Sequence, residues 1–132
     1  MMDEINIKLP AKPEYISVAR LTTAAIANRI GFTVDEIEDL KLAISEASNF
    51  LINQFSVISH LTIDYQINMD SSILAKVKVV GASVISEKQL ENNELSLFII
   101  ESVADQVTKE EEQGVIYGFS ILKTCGGSFE YE

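Results

Sequence analysis

The chain has 132 residues, 47% hydrophobic and 23% charged, which suits one domain burying about two-thirds of its unfolded surface. Its formal net charge of -10 works against nucleic acid and anionic membranes, which repel it over a Debye length of roughly 10 Å, and favours a basic protein partner. The one cysteine, Cys125, excludes an internal disulfide, no Cys/His cluster has metal-ligand spacing, and neither a signal peptide nor a membrane span is expected, so the reading is a cytoplasmic protein without a metal site.

Ile5 to Leu9 reads as a short edge strand closed by Pro10. From Pro13 the apolar residues Ile16, Ala19, Leu21, Ala24, Ala27 and Ile30 recur near helical spacing and Gly31 stops them, which predicts a first helix. Thr33 and Glu36 have the spacing of a capping box, in which hydroxyl and carboxylate each satisfy an orphan amide. The second helix starts there, with an apolar stripe of Ile37, Leu40, Ile44, Ala47 and Leu51. Its first turn is crowded with Asp35, Glu36, Glu38 and Asp39, where the helix dipole favours negative charge.

Leu61, Ile63, Tyr65 and Ile67 alternate with polar residues, as do Ile73, Ala75, Val77 and Val79, predicting an antiparallel hairpin around a turn at residues 69–72. His60 reads as a loop residue before the first of these strands. After Gly81 a polar linker leads to a third helix from about Asn93 to Ala104. A strand near Gln106 to Lys109, an acidic turn at Glu110 to Gln113 and a strand from Val115 to Lys123 close the order, with Cys125 a partly buried thiol near a turn. The expected fold is an α/β sandwich, a mostly antiparallel sheet with three helices on one face, over residues 1–132.

The runs Pro13-Glu14-Tyr15, Val18-Ala19-Arg20-Leu21, Gly31-Phe32-Thr33, Asp35 through Lys41 and Ser45-Glu46-Ala47 are similar to those of the RsbW-type anti-sigma factors of bacterial partner switching. These are small serine-protein kinases on the histidine-kinase-like ATPase fold. The resemblance covers about the whole chain in element order, and its C-terminal half matches in pattern only. It implies that Glu46 is the general base that takes the proton from a serine hydroxyl of a protein substrate. It further implies an asparagine four residues later holding magnesium on the phosphates of ATP, since positions i and i+4 lie about 40° apart on a helix. Position 50 is instead Phe. Asn49 lies about 60° to the other side of Glu46, and Asn53 repeats its angle about 10 Å along the axis, so neither reproduces that geometry. An aromatic ring cannot ligate a hard cation.

The family's adenine motif, Asp-x-Gly, registers on Gly81 and places Val79 where the carboxylate belongs. Where a glycine-rich turn enters the third helix, Glu94 and Ser96 replace glycines, and a carboxylate at a helix N-terminus opposes phosphate. Asn49, Asn53 and Gly81 are thus the remaining cofactor-binding candidates of a degenerate site, and no cofactor is expected; the alternative is ATP with magnesium. The resemblance implies that Arg20 contacts a sigma factor or its competing anti-anti-sigma protein, with Glu14 and Ser17 beside it, because a guanidinium binds carboxylates bidentately. It also implies a homodimer, for which the small residues around Ala24, Ala25 and Ala27 would suit close packing. Two functions follow: a partner-binding regulator that no longer needs ATP, or an active serine kinase with Glu46 as base. An orphan protein-binding domain of the same fold is the plain alternative.

Overall fold

The computed structural model describes residues 2–69, 71–85 and 90–126. A strand β1 (Met2–Leu9) leads through a 3-10 turn (Pro13–Tyr15) into helix α1 (Ile16–Arg29) and helix α2 (Val34–Gln54). The chain continues as β2 (Phe55–Val57), β3 (His60–Asn68), β4 (Ser72–Val80), β5 (Ser83–Ile85), α3 (Leu90–Val103), β6 (Gln106–Glu112) and β7 (Val115–Thr124). The main sheet has the order β1-β3-β4-β7-β6 with every pair antiparallel, and β2 pairs with β5 apart from it. Three helices and this five-stranded antiparallel sheet make the expected α/β sandwich, with β1 at an edge.

Helix α2 organises the core. Thr33 Oγ1 accepts from the Glu36 amide at 3.1 Å and Glu36 Oε1 accepts from the Thr33 amide at 2.8 Å, so the capping box is complete. Leu40, Ala43, Ile44, Ala47 and Leu51 are fully buried, facing the alternate strand residues Leu61, Ile63, Tyr65, Ile73, Ala75, Val77, Phe119 and Ile121. Register aligns Ile63 with Val77 and Val77 with Phe119, which gives the helix a continuous apolar floor. The Tyr65 hydroxyl, within this floor, shares a 2.6 Å hydrogen bond with Thr23 of α1. Burial pushes its pKa up to about 12, against the lowering effect of that bond.

Several expectations need correction. The first strand starts at Met2, and the first helix opens with a 3-10 turn. Leu21 is 71% exposed; the buried stripe of α1 is Ile16, Ala19, Thr23, Ile26 and Ala27, because Leu21 lies about 200° around the helix from Ala19. Ala27 is therefore core, Ala24 is half-buried and Ala25 is exposed. His60 opens β3, paired opposite Val80, and is not in a loop. Glu110 to Glu112 extend β6, and the turn is only Gln113-Gly114. Strands β2 and β5, three residues each, lie below the length at which a period of two is visible. Helix α3 starts at Leu90 and not at Asn93, shortening the supposed linker; its residues 86–89, residue 70 of the first hairpin turn and residues 127–132 lie outside the described residues. Cys125 is buried, with Sγ 3.4 Å from the Gly31 carbonyl.

Two joints hold the ends of this frame. At one, Lys123 on β7 points inward with its Nζ 2.8 Å from the Val103 carbonyl at the end of α3 and 3.4 Å from Asp39 Oδ2 on α2. Beside it Glu36 Oε2 accepts the Gly126 amide, and Asp105 Oδ2 accepts both the amide and hydroxyl of Thr124. At the other, Gly81 adopts φ +68 and packs on Ser59, whose amide donates to the Val80 carbonyl at 2.9 Å. A Cβ at Gly81 would stand 2.7 Å from Ser59 Cβ.

Burial raises the pKa values of Glu36 and Asp105, but hydrogen bonds outweigh it and hold both below the ordinary carboxylate range: the Thr33 and Gly126 donors for Glu36, the Thr124 donors for Asp105, with Lys123 assisting each. A depressed folded-state pKa gives stability that is present above the unfolded value, about 4, and lost as pH falls through the folded value. Urea midpoints should therefore fall on the acid side of about pH 4, and the Glu36→Gln, Asp105→Asn double variant should be less stable at neutral pH with a shallower acid limb. Parallel acid limbs in the two proteins would contradict this account. Gly81→Ala should cost about 1–3 kcal/mol in urea unfolding, since it combines a left-handed backbone with the clash on Ser59. A neutral result there would mean that the Ser59 turn relaxes freely.

Candidate functional site

With its inner face on the sheet and α1 and α3 on either side, α2 leaves a narrow outer strip in solvent. Along it runs a groove of about 430 Å³ lined by Arg20 of α1 and by Glu38, Asp39, Lys41, Leu42, Ser45, Glu46 and Asn49 of α2. Lys41 Nζ pairs with Glu38 Oε2 at 3.1 Å, and Asp39 is engaged by Lys123, while the Ser45 hydroxyl donates to the Lys41 carbonyl. Among the described residues neither Arg20 nor Glu46 makes an ion pair. The groove thus offers one half-buried carboxylate and one exposed guanidinium with their charges open to a visitor.

Candidates from the sequence separate into groups. Arg20, Glu46 and Asn49 share the groove, which no single-helix pattern announces because Arg20 comes from α1. Asn53 is exposed near the end of α2 and is not among the groove residues. Glu14 and Ser17 are exposed ahead of Arg20, tied to each other by the Ser17 hydroxyl donating to the Glu14 carbonyl, and do not line the groove either. Gly81 sits at the Ser59 turn, where its missing Cβ serves the close approach of two backbones.

Position 50 is decided by packing. Phe50 is 4% exposed and meets the ring of Phe119 edge-on, centroids 5.3 Å apart and planes at 83°. A side chain so placed fills the core and presents no oxygen, so the residues here do not fit a magnesium ion held from position 50. Val79 is likewise half-buried against the core. Glu94 requires a correction: it is exposed, but as the fifth residue of α3 it stands beyond the first turn, where the free amides are. Its repulsion of a phosphate at the helix end is therefore weaker than the sequence suggested, while the lack of carboxylate at Val79 and of oxygen at Phe50 stands.

Lys123 was missed, although the alternation of Phe119, Ile121, Lys123 and Cys125 puts it on the inward parity of β7. It touches Asp39, whose side chain also edges the groove, so the lysine fixes the N-terminal half of the strip that carries Glu46.

No protein-family profile matches the chain. Among curated proteins it is similar to the serine-protein kinase RsbW of Oceanobacillus iheyensis, 35% identical over 86% of this chain and 83% of the relative. The serine-protein kinase RsbW of Listeria innocua is 33% identical over 87% of this chain and 84% of the relative. Among solved structures, a Mycobacterium tuberculosis chain carrying RsbU and RsbW domains superposes with a TM-score of 0.68 at 17% identity, covering 92% of this chain and 32% of the larger one, which supports the fold. Identity above 30% along most of both lengths, on this sandwich, places the chain in the RsbW-type family of anti-sigma factors and serine-protein kinases.

Proposed function

We propose that this protein works as a single cytoplasmic partner-binding domain that engages a sigma factor, an anti-anti-sigma protein or both in a partner switch, without ATP-dependent kinase chemistry. The observation that carries this reading is Phe50, locked in the core against Phe119 at the helix position from which the family's magnesium ligand is expected. A ring in that place cannot turn outward without opening the space above Phe119, so position 50 offers no oxygen to a metal-bound nucleotide. Partner binding then falls to the Arg20 end of the groove, with Glu14, Ser17 and the exposed Val18 and Leu21 of the same helix. A guanidinium suits a carboxylate on the partner, bound through two parallel hydrogen bonds.

Glu46 and Asn49 in the same groove favour the second reading, an active serine kinase in which Glu46 takes the hydroxyl proton of a docked serine. Titration calorimetry with ATP and ADP in the presence of magnesium separates the two. The first reading expects no heat and no thermal stabilisation at millimolar nucleotide. Micromolar binding would overturn it and make Glu46→Gln, assayed for phosphoryl transfer to a serine of the partner, the decisive variant.

A homodimer belongs to the same proposal. Among the described residues the outer edge of β1 is unpaired, and its exposed Ile5 lines a cavity of about 110 Å³ together with Ile26, Arg29 and Met69. Sedimentation should find a dimer that Ile5→Lys converts towards monomer; a monomeric wild-type protein would remove this part of the proposal.

A further inference from the structure

A second exposed apolar surface lies on α3. Ile100 is fully buried and Leu97, Val103 and Ala104 pack on the core, so the far side of the helix carries Leu95, Phe98 and Ser102, spaced three and four. Leu95 and Phe98 are 62% and 67% exposed, one turn apart, which makes a continuous apolar ridge. Glu94 and Glu101, both exposed and seven residues apart, line one flank of it. Helix α3, LENNELSLFIIESV, contains no lysine or arginine to offset them.

We propose that this ridge is a docking site for an amphipathic helix of a partner protein, with leucine-like side chains at i, i+3 and i+4 and lysine or arginine along its flanks. Charge decides the occupant. A second copy docked with its α3 antiparallel about a two-fold axis would set Glu94 of one molecule against Glu101 of the other, with no cation on either helix between them. Nucleic acid and anionic lipid meet the same repulsion. A basic helix instead covers Phe98 and Leu95 with apolar contact and brings cations to both glutamates, the arrangement of a helix-on-helix contact with an apolar centre and a charged rim. The surface differs in sign from the Arg20 end of the groove, which selects a carboxylate. The proposal does not depend on whether nucleotide binds.

The test uses the full chain, 15N-labelled, titrated with a synthetic amphipathic leucine/lysine peptide and with its charge-reversed leucine/glutamate counterpart. The leucine/lysine peptide should shift amides centred on residues 94–102, and the counterpart should not. Phe98→Ala and the Glu94→Lys, Glu101→Lys pair should each weaken binding at least tenfold with the melting temperature retained, since all three side chains are exposed, and the charge-swapped pair should gain affinity for the leucine/glutamate peptide. Val34→Ala, an exposed apolar residue on another helix, should leave affinity unchanged. Shifts spread over α1 and α2, or equal affinity in Phe98→Ala, would overturn the proposal. Self-association abolished by Phe98→Ala would overturn it as well, by assigning the ridge to a second copy.

Discussion

The rotation of α2 about its own axis is the constraint on which the candidate site depends. Its 21 residues lie on the sheet with a helix on each side, so each position is allotted to floor, flank or solvent before any ligand is considered. Leu40, Ile44, Ala47 and Leu51 take the floor and Phe50 joins them, leaving Glu46 at the border and Asn49 on the open strip. Turning the helix by the roughly 40° that would bring position 50 to the border would carry the fully buried Ala43 outward with it. The ring at position 50 is thus held inward by the packing.

That rotation is fixed at both ends. The capping box and the Glu36–Gly126 bond hold the first turn of α2, and Lys123 draws together Asp39 and the carboxyl end of α3. A lysine there meets the negative pole of one helix and a carboxylate of another, which suits a residue that is only 9% exposed. At the far end, Gln54 donates its side-chain amide to the Ile116 carbonyl of β7. These ties at both ends fix how the outer strip of α2 is presented, which a docking groove needs whether it serves chemistry or only recognition.

Much of the fold was legible. The 3-4 spacing of α2, its capping box and the alternation in β3 and β4 are strong local signals, each reinforced by residues within one or two turns. Errors fell where local pattern and tertiary burial part company. Leu21 looked like core because it is leucine at about the right spacing, yet the side of α1 that meets the sheet is defined by Thr23 and Ile26. Glu110 to Glu112 looked like a turn because they are charged, yet they continue an edge strand whose outward positions favour charge over apolar pairing. In the site, Glu46 and Asn49 were recognisable on one helix, whereas their meeting with Arg20 required the packing of α1 against α2.

The sequence by itself determined the sandwich, the start of α2, the acidic character and the absence of an asparagine at position 50, because these depend on periodicity, capping and residue identity. Only the tertiary structure decided that Phe50 closes the core on Phe119, that Gly81 serves the Ser59 turn, that Lys123 is the buried tie, and that Leu95 and Phe98 stand in solvent. The reason is physical: a helix pattern gives the relative angles of its side chains, but which angle faces the sheet is set by contacts with strands far away in sequence.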